Sequence, residues 1–97
     1  MSQENTEYNK DTDASLIEAA AGGDETIVRL LLEKGANTEA QDGDGNTPLI
    51  EAARSGHKAV VSLLLEHGAN SDVTNLEGYT AYDCAKKTSI WDLLRSY

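Results

Sequence analysis

Several residue types are scarce or missing in this chain of 97 residues. Phe is absent, and Cys, Pro, Trp and Met each occur once. A single Cys cannot form a disulfide within the chain, which favours a reducing compartment, and we expect the cytoplasm, with the nucleus as the alternative. No apolar run approaches the ~18 residues of a transmembrane helix. The first five residues are polar and acidic, unlike a signal peptide. These absences predict a soluble intracellular protein.

Basic residues are also scarce. The chain has 8 Lys and Arg against 17 Asp and Glu, which gives a formal net charge of −9 at pH 7. This charge argues against nucleic acid and anionic membranes as direct targets, because both carry negative charge themselves. The length allows one domain with a small core, because a chain of this size buries only ~60–65% of its unfolded surface.

An internal repeat organises the residues that are present. When the sequence is shifted by 33 residues against itself, residues 16–41 align with 49–74, and 14 of the 26 aligned pairs are identical. A third, degraded copy begins at Asn75. Self-similarity at a fixed period of about 20–50 residues is typical of repeat architectures, in which each unit buries its apolar face against its neighbours.

The middle copy carries clear signals for two helices. Asp42-Gly43-Asp44-Gly45-Asn46 is turn chemistry, and Thr47 then stands where a helix needs an N-cap, with Pro48 in the first helical position. We predict a first helix over about 48–55, a break at Gly56 and His57, and a second helix over about 58–67 that ends before a glycine. Neither helix can bury its apolar face alone, so the copies must stack.

The middle copy resembles a complete ankyrin repeat, and the resemblance covers about residues 13–96. It rests on Gly45, Thr47-Pro48-Leu49, Ala52-Ala53, Gly56-His57, Leu64-Leu65 and Gly68-Ala69-Asn70, at the family's period of 33 residues. The resemblance implies an all-α solenoid of helix-turn-helix units with β-hairpin-like fingers. We expect a single domain over 13–97, with units of about 13–41, 42–74 and 75–97. Residues 1–12 are interpreted as a disordered acidic leader, with a short extra turn of helix before Asp13 as the alternative.

The two outer units depart from the pattern as capping units would. No glycine turn precedes the first unit, so its finger is predicted to be missing, and Asp13 is predicted to be an N-cap. In the third unit a gap of about three residues predicts a last helix that is shortened and re-aimed. Trp91 and its apolar neighbours are expected to pack on Leu63 and Leu64. The alternative is an exposed face used for a partner or for a dimer of an otherwise monomeric chain.

No residue set predicts catalysis, a metal or a cofactor. Asp42, Asp44 and Asn46 match the start of a calcium-binding EF-hand loop, but Thr47 and Ala53 stand where that loop needs Gly and Glu, so these three are interpreted as turn residues. The two histidines, His57 and His67, have no partner at metal-ligand spacing, and the resemblance implies that His57 bonds backbone in the inter-helix turn. Cys84 is expected to be a small, partly buried thiol. No nucleophile-and-base arrangement can be assembled, so we expect a non-enzyme.

A partner-binding surface is found by setting aside the residues that the repeat needs. Leu76 and Tyr79 have no obvious core to fill, although Tyr79 could instead pack on its own finger. Four carboxylates and no basic residue lie between Glu39 and Glu51, whereas Lys86, Lys87 and Arg95 lie near the C-terminal end. This pattern predicts a partner with a basic patch, the alternative being carboxylates that serve only solubility. With the positions that face partners in ankyrin-like repeats, the predicted binding residues are Asp44, Asn46, Glu51, Arg54, Leu76, Glu77 and Tyr79.

The predicted function is therefore protein binding through the fingers and the inner-helix, concave face, by an adaptor or inhibitor without a cofactor. Two alternatives stay open. One is a minimal or designed repeat scaffold without a dedicated partner, against which the irregular end units argue. The other is an acidic mimic that blocks the nucleic-acid site of a basic protein.

Overall fold

The computed structural model describes residues 10–96 of the chain and, within them, the side chains of residues 12–96. No β-strand occurs in this part of the chain, and the all-α prediction is confirmed. The six helices are α1 (Lys10–Gly22), α2 (Glu25–Glu33), α3 (Pro48–Ser55), α4 (Lys58–Glu66), α5 (Ala81–Cys84) and α6 (Thr88–Ser96).

The helices form three pairs that stack in two rows. Each unit contributes one pair, so α1 contacts α2, α3 contacts α4 and α5 contacts α6. Between units, α1, α3 and α5 form an inner row, and α2, α4 and α6 form an outer row. The stack measures 48 × 26 × 20 Å, as expected for units that add along one axis. The middle unit is therefore the only one of the three with a neighbour on both sides.

Local sequence explains where the helices of the middle unit begin and end. The Thr47 hydroxyl oxygen accepts a hydrogen bond from the backbone N–H of Ile50 at 3.1 Å, and Pro48 occupies the first turn. Gly56 ends α3 in the left-handed conformation at φ 83°. In the third unit Thr80 and Asp83 form a capping box at the start of α5. The helices predicted at about 48–55 and 58–67 are confirmed.

The core follows the two rows of helices and is continuous through all three units. Its aliphatic side chains come from both helices of the middle unit and from one or two positions of each outer helix. Because it is thin and one-dimensional, each unit depends on the next one for burial. The largest fully buried apolar side chains are Leu16, Val28, Leu49, Ile50, Val60, Val61, Leu64 and Ile90.

The first helix starts earlier than predicted. Helix α1 begins at Lys10, so Asp13 lies inside the helix, and its prediction as an N-cap is wrong. The Asp13 side chain is 5% exposed, and its carboxylate accepts a hydrogen bond of 2.9 Å from the backbone N–H of Asn37, in the loop after α2. Residues 10–12 of the predicted leader are helical, as the alternative interpretation had it, whereas residues 1–9 lie outside the described part of the chain.

The third unit is shortened at a different helix from the one predicted. Helix α6 has nine residues, as α2 and α4 do, whereas the inner helix α5 has four residues against eight in α3. The backbone becomes extended at Ala85, which ends α5. The missing residues therefore come from the inner helix and the turn, and the outer helix keeps the length that it needs to cover α4.

Two side chains of different types connect successive units. His57 Nε2 lies 3.0 Å from the carbonyl oxygen of Ala21 in α1, and its ring packs so closely on Gly23 that a Cβ there would lie 2.6 Å from Nδ1. The backbone hydrogen bond predicted for His57 is confirmed, and it reaches the preceding unit. In the third unit, which lacks the Gly-His pair, Lys87 Nζ donates to the carbonyl oxygen of Gly56 at 3.1 Å.

Candidate protein-binding surface

Two turns, which we call finger 1 (residues 42–46) and finger 2 (residues 75–79), have the same hydrogen bonds. In finger 1 the backbone N–H of Asp42 donates to the carbonyl of Asn46 at 3.0 Å, and in finger 2 Asn75 donates to Tyr79 at 2.9 Å. The structure describes both fingers as turns, and their hairpin form stays a prediction. Finger 2 thus repeats finger 1 although their sequences differ at almost every position.

The first side chain of each finger holds the turn in shape. Asp42 Oδ1 accepts the backbone N–H groups of Asp44 and Asn46, both at 2.9 Å. Asn75 Oδ1 accepts those of Glu77 and Tyr79 at 2.9 and 3.0 Å. Each finger is therefore an Asx-type turn in which one side-chain oxygen accepts two amides. The turn interpretation of Asp42 is confirmed.

The environment of Asp42 favours its charged form. Burial alone would raise the pKa of this carboxyl, but the backbone hydrogen bonds from Asn46 and Asp44, a hydrogen bond with Glu51 and the charge of Arg54 outweigh it. The pKa of Asp42 is therefore lower than its ordinary value, and the carboxylate is ionised at neutral pH.

The two fingers are joined edge to edge. The backbone N–H of Leu76 donates to the carbonyl of Asp44 at 3.0 Å, and Gln41 Nε2 donates to the carbonyls of Gly45 at 2.7 Å and Thr74 at 3.2 Å. Gly45 has a φ of 81°, and a Cβ there would lie 2.7 Å from the Leu76 nitrogen. A glycine is thus needed both for the backbone conformation and for the approach of finger 2.

Asn46 and Glu51, two of the predicted binding residues, belong to the interior. Their exposed fractions are 2% and 7%. Asn75 Nδ2 donates to Asn46 Oδ1 at 2.9 Å, Asn46 Nδ2 donates to Glu51 Oε2 at 3.3 Å, and Arg54 pairs with Glu51 Oε1 at 3.0 Å. We correct the prediction for both, because this chain of polar groups satisfies them inside the protein.

The other five predicted residues lie at the surface around the two fingers. Leu76 is 78% exposed and Tyr79 is 51% exposed, and the remaining three, Asp44, Arg54 and Glu77, are exposed as well. A depression of about 300 Å³ is lined by Asp44, Asn46, Arg54, Leu76 and Glu77. The structure therefore brings four of the five exposed residues to one depression, and Tyr79 lies at the end of the same finger.

Charge on this surface is partly balanced within the protein. Hydrogen bonding to Glu51, and then the charge of that carboxylate, raise the pKa of Arg54, so the guanidinium stays charged while half of its side chain is exposed. The basic residues near the C-terminal end are also engaged, because Lys87 bonds the Gly56 carbonyl and Arg95 pairs with Asp92 at 2.8 Å. The carboxylates of Asp44 and Glu77 remain exposed beside the two fingers.

The C-terminal residues pack mainly into the core. Ile90 and Leu94 are 0% and 5% exposed, in the same cluster as Leu63 and Leu64, which confirms their predicted packing. Trp91 is partly buried, and its indole N–H donates to the Tyr82 carbonyl at 3.1 Å. Tyr97, which completes the predicted apolar face, lies outside the described residues.

No catalytic or metal-binding arrangement accompanies this surface. Among the residues that the structure describes, no three His, Cys, Asp or Glu side chains are close enough to hold a metal ion. Cys84 is partly buried, as predicted, and burial raises the pKa of its thiol, which disfavours the nucleophilic thiolate. No helix in the described part of the chain is long and apolar enough to cross a membrane.

Three pairs of helices in two rows, joined by fingers of one design, define a helical repeat solenoid. A family model described as ankyrin repeats, in three copies, matches residues 4–94. The chain therefore belongs to the ankyrin-repeat family, and the resemblance noted in the sequence is confirmed. Ankyrin repeats are generally protein-interaction modules. No curated protein matches this chain at a significant level.

Proposed function

We propose that this chain is a non-enzymatic adaptor or inhibitor that binds one partner protein through fingers 1 and 2. The observation that carries the proposal is the exposure of Leu76 and Tyr79, at 78% and 51%, on a turn that the fold has fixed in place. Both lie beside the carboxylates of Asp44 and Glu77, so the surface combines an apolar anchor with a polar rim, as protein interfaces do.

The rigidity of the fingers supports this proposal. Asn75 holds finger 2 through two backbone amides, and Leu76 is tied by its own N–H to finger 1. A side chain on a fixed backbone loses less conformational freedom on binding than one on a loose loop. Half of the Tyr79 surface stays exposed, so its alternative role, packing on its own finger, leaves much of its surface for a partner.

The proposal is tested first by capture. A photo-crosslinking amino acid is placed at Leu76, with Ser89 as the control position, since both side chains are exposed and Ser89 lies outside the fingers. We expect one protein to be crosslinked from Leu76 and not from Ser89. Crosslinking of the same proteins at both positions contradicts binding through the fingers.

The captured partner then allows a quantitative test. We expect Tyr79→Ala and Leu76→Ala each to weaken binding about tenfold or more, as anchors in interface centres do. Leu30→Ala is the matched control, because Leu30 is a 46% exposed leucine on the outer helix α2. Isothermal titration calorimetry measures all three. Affinity unchanged in both finger variants overturns the proposal.

The acidic rim predicts steering of a basic partner. We propose that Asp44 and Glu77 mainly raise the association rate, because exposed charges act at a distance and are screened by salt. Stopped-flow association of the captured partner should slow as NaCl rises from 50 to 500 mM, by about tenfold. The double variant with Asp44→Asn and Glu77→Gln should flatten this slope. A salt-independent rate in the unmodified protein contradicts the predicted basic patch.

We also propose that the chain acts as a monomer. Trp91 bonds Tyr82 and lies against its ring, with 6.1 Å between ring centroids, so much of the indole is already used. Sedimentation equilibrium at high protein concentration distinguishes this from a dimer through the C-terminal helix. A dimer that Trp91→Ala dissociates would replace the monomer proposal.

A further inference from the structure

A second depression lies outside the finger surface, between helix α1 and the segment leading into finger 1. Its volume is about 670 Å³. One part of its wall is apolar and formed by small or aliphatic side chains, and the other part is acidic, with four carboxylates and no Lys, Arg or His among the lining residues. We call this the α1 groove, and its lining residues are Asp13, Ala14, Ile17, Glu18, Ala21, Ala40, Gln41, Asp42 and Glu51.

The middle unit has residues at the same repeat positions, 33 places later, and there the space is filled. Glu18 and Ala21 of α1 correspond to Glu51 and Arg54 of α3. In the middle unit Arg54 donates to Glu51 at 3.0 Å across one helical turn. In the first unit the glutamate is kept and the arginine is an alanine. The chain therefore shows at one position which group this pocket of the repeat accepts, and at the equivalent position it lacks that group.

The amide groups around this position have also been replaced by carboxylates. Asn46 and Asn75 of the middle unit correspond to Asp13 and Asp42 around the α1 groove. The two amides donate along the chain from Asn75 to Asn46 to Glu51. A carboxylate accepts hydrogen bonds and cannot donate them when ionised, so the α1 groove has lost these donors together with the guanidinium.

Glu18 shows the consequence most directly. Its side chain is exposed, and among the described side chains no Lys, Arg or His forms an ion pair with it, whereas Glu51 is 7% exposed and paired. The apolar wall of Ala14, Ile17 and Ala21 lies next to it on α1. An arginine suits both parts, since its methylene stem covers apolar surface and its guanidinium pairs with carboxylates.

We propose that the α1 groove binds an arginine side chain of the partner protein, in the place that Arg54 takes in the middle unit. The inference rests on the proposed function, because it names a second contact of the same partner. The stem lies on Ala14, Ile17 and Ala21, and the guanidinium pairs with Glu18 and replaces the donors that the unit lacks.

The first experiment needs no partner protein. The capped pentapeptide Gly-Gly-Arg-Gly-Gly is titrated into the full chain, and methyl signals of Ala14, Ile17 and Ala21 are followed by NMR. The citrulline peptide, which has the same shape without the charge, and the lysine peptide are the controls. We expect saturable shifts with arginine, at least tenfold weaker binding with citrulline and at least threefold weaker binding with lysine. Equal binding of either control peptide overturns the assignment.

Two variants locate the site. Glu18→Gln should weaken binding of the arginine peptide at least threefold, whereas Glu33→Gln, which removes the same charge from an exposed position on α2, should leave it unchanged. Ala21→Arg supplies the guanidinium from the chain itself and should abolish peptide binding. Equal weakening by Glu18→Gln and Glu33→Gln would mean that the peptide responds only to net charge, and the proposal fails.

Failure of this inference is distinguishable from failure of the proposed function. If Tyr79→Ala weakens the captured partner and Ala21→Arg does not, finger binding stands and the arginine contact is wrong. If the arginine peptide binds the α1 groove while neither finger variant affects the partner, the groove stands and the finger surface is wrong. Spectra of each variant without peptide confirm that the chain is folded.

Discussion

The outer helices α2 and α4 carry nearly the same apolar residues, but very different fractions of them are buried. Ile27 and Leu30 of α2 are 40% and 46% exposed. Their equivalents in α4, 33 residues later, are Val60 and Leu63, which are 0% and 6% exposed. The residue types therefore do not explain the difference, and the surroundings must.

What α4 has and α2 lacks, within residues 10–96, is an outer helix before it in the stack. Helix α6 supports this explanation, because it follows α4 and its Ile90 is 0% exposed. A leucine at the same position of the repeat is a core residue in one unit and a surface residue in another. Comparing the same position with and without a covering neighbour therefore measures what the neighbour contributes.

The largest expected effect is at the outer helices. Leu63→Ala should lower the free energy of unfolding by about 2–4 kcal/mol, because it opens a cavity between stacked helices. Leu30→Ala should cost less than about 1 kcal/mol, since its side chain is half exposed. Urea denaturation followed by circular dichroism gives both values. Equal costs would contradict the conclusion that the neighbouring helix decides burial.

The fingers allow the same comparison at a glycine. Gly45 and Gly78 have φ values of 81° and 87°, so alanine costs about 1–2 kcal/mol at either position from the backbone alone. At Gly45 the added Cβ would also lie 2.7 Å from the Leu76 nitrogen, whereas at Gly78 it meets nothing within 4 Å. Gly45→Ala should therefore be more destabilising than Gly78→Ala in thermal unfolding. The reverse order would contradict the close contact between the fingers.

The smallest effect concerns the first residue of each finger, which is Asp42 in one and Asn75 in the other. Asp42→Asn keeps the oxygen that accepts two amides, as Asn75 does, so stability at pH 7 should change by less than about 0.5 kcal/mol. The difference should appear in acid. The pKa of Asp42 is lowered by folding, so its stabilising contribution is full above the unfolded value near 3.8 and is lost as the pH falls through the folded value.

Urea denaturation between pH 7 and pH 2.5 tests this prediction. The unmodified protein should lose more stability than Asp42→Asn below pH 4. Asp44→Asn removes the same charge from a residue whose side chain accepts no hydrogen bond in the finger, and it controls for net charge. An acid profile of Asp42→Asn that is parallel to that of the unmodified protein would contradict the role assigned to this carboxylate.

The sequence predicted those features that depend on nearby residues. Thr47, Pro48 and Gly56 set the limits of α3 through hydrogen bonds and backbone angles within a few positions. The repeat period then carried the same pattern to the other units. Exposure of Leu76 and Tyr79 was predictable for a similar reason, because no apolar pattern assigned either of them to a core.

Features that depend on a neighbouring unit were not predictable in the same way. Asn46 becomes buried because Asn75, 29 residues later, donates to it. Asp13 bonds an amide 24 residues away, and Lys87 reaches a carbonyl 31 residues away. Single-unit patterns contain no such information. The substitution of arginine by alanine between Arg54 and Ala21 is, however, visible in the alignment of the repeats, and it marks the α1 groove.

The stacking order also has a consequence for how quickly the chain folds. All the substantial helix contacts join helices of one unit or of adjacent units, so no extensive contact needs the first and third units to meet. Short sequence separations between contacting residues favour fast folding, because little chain entropy is lost before a contact forms. We expect folding to begin with the middle unit and one neighbour, and the remaining unit to add to a surface that already exists.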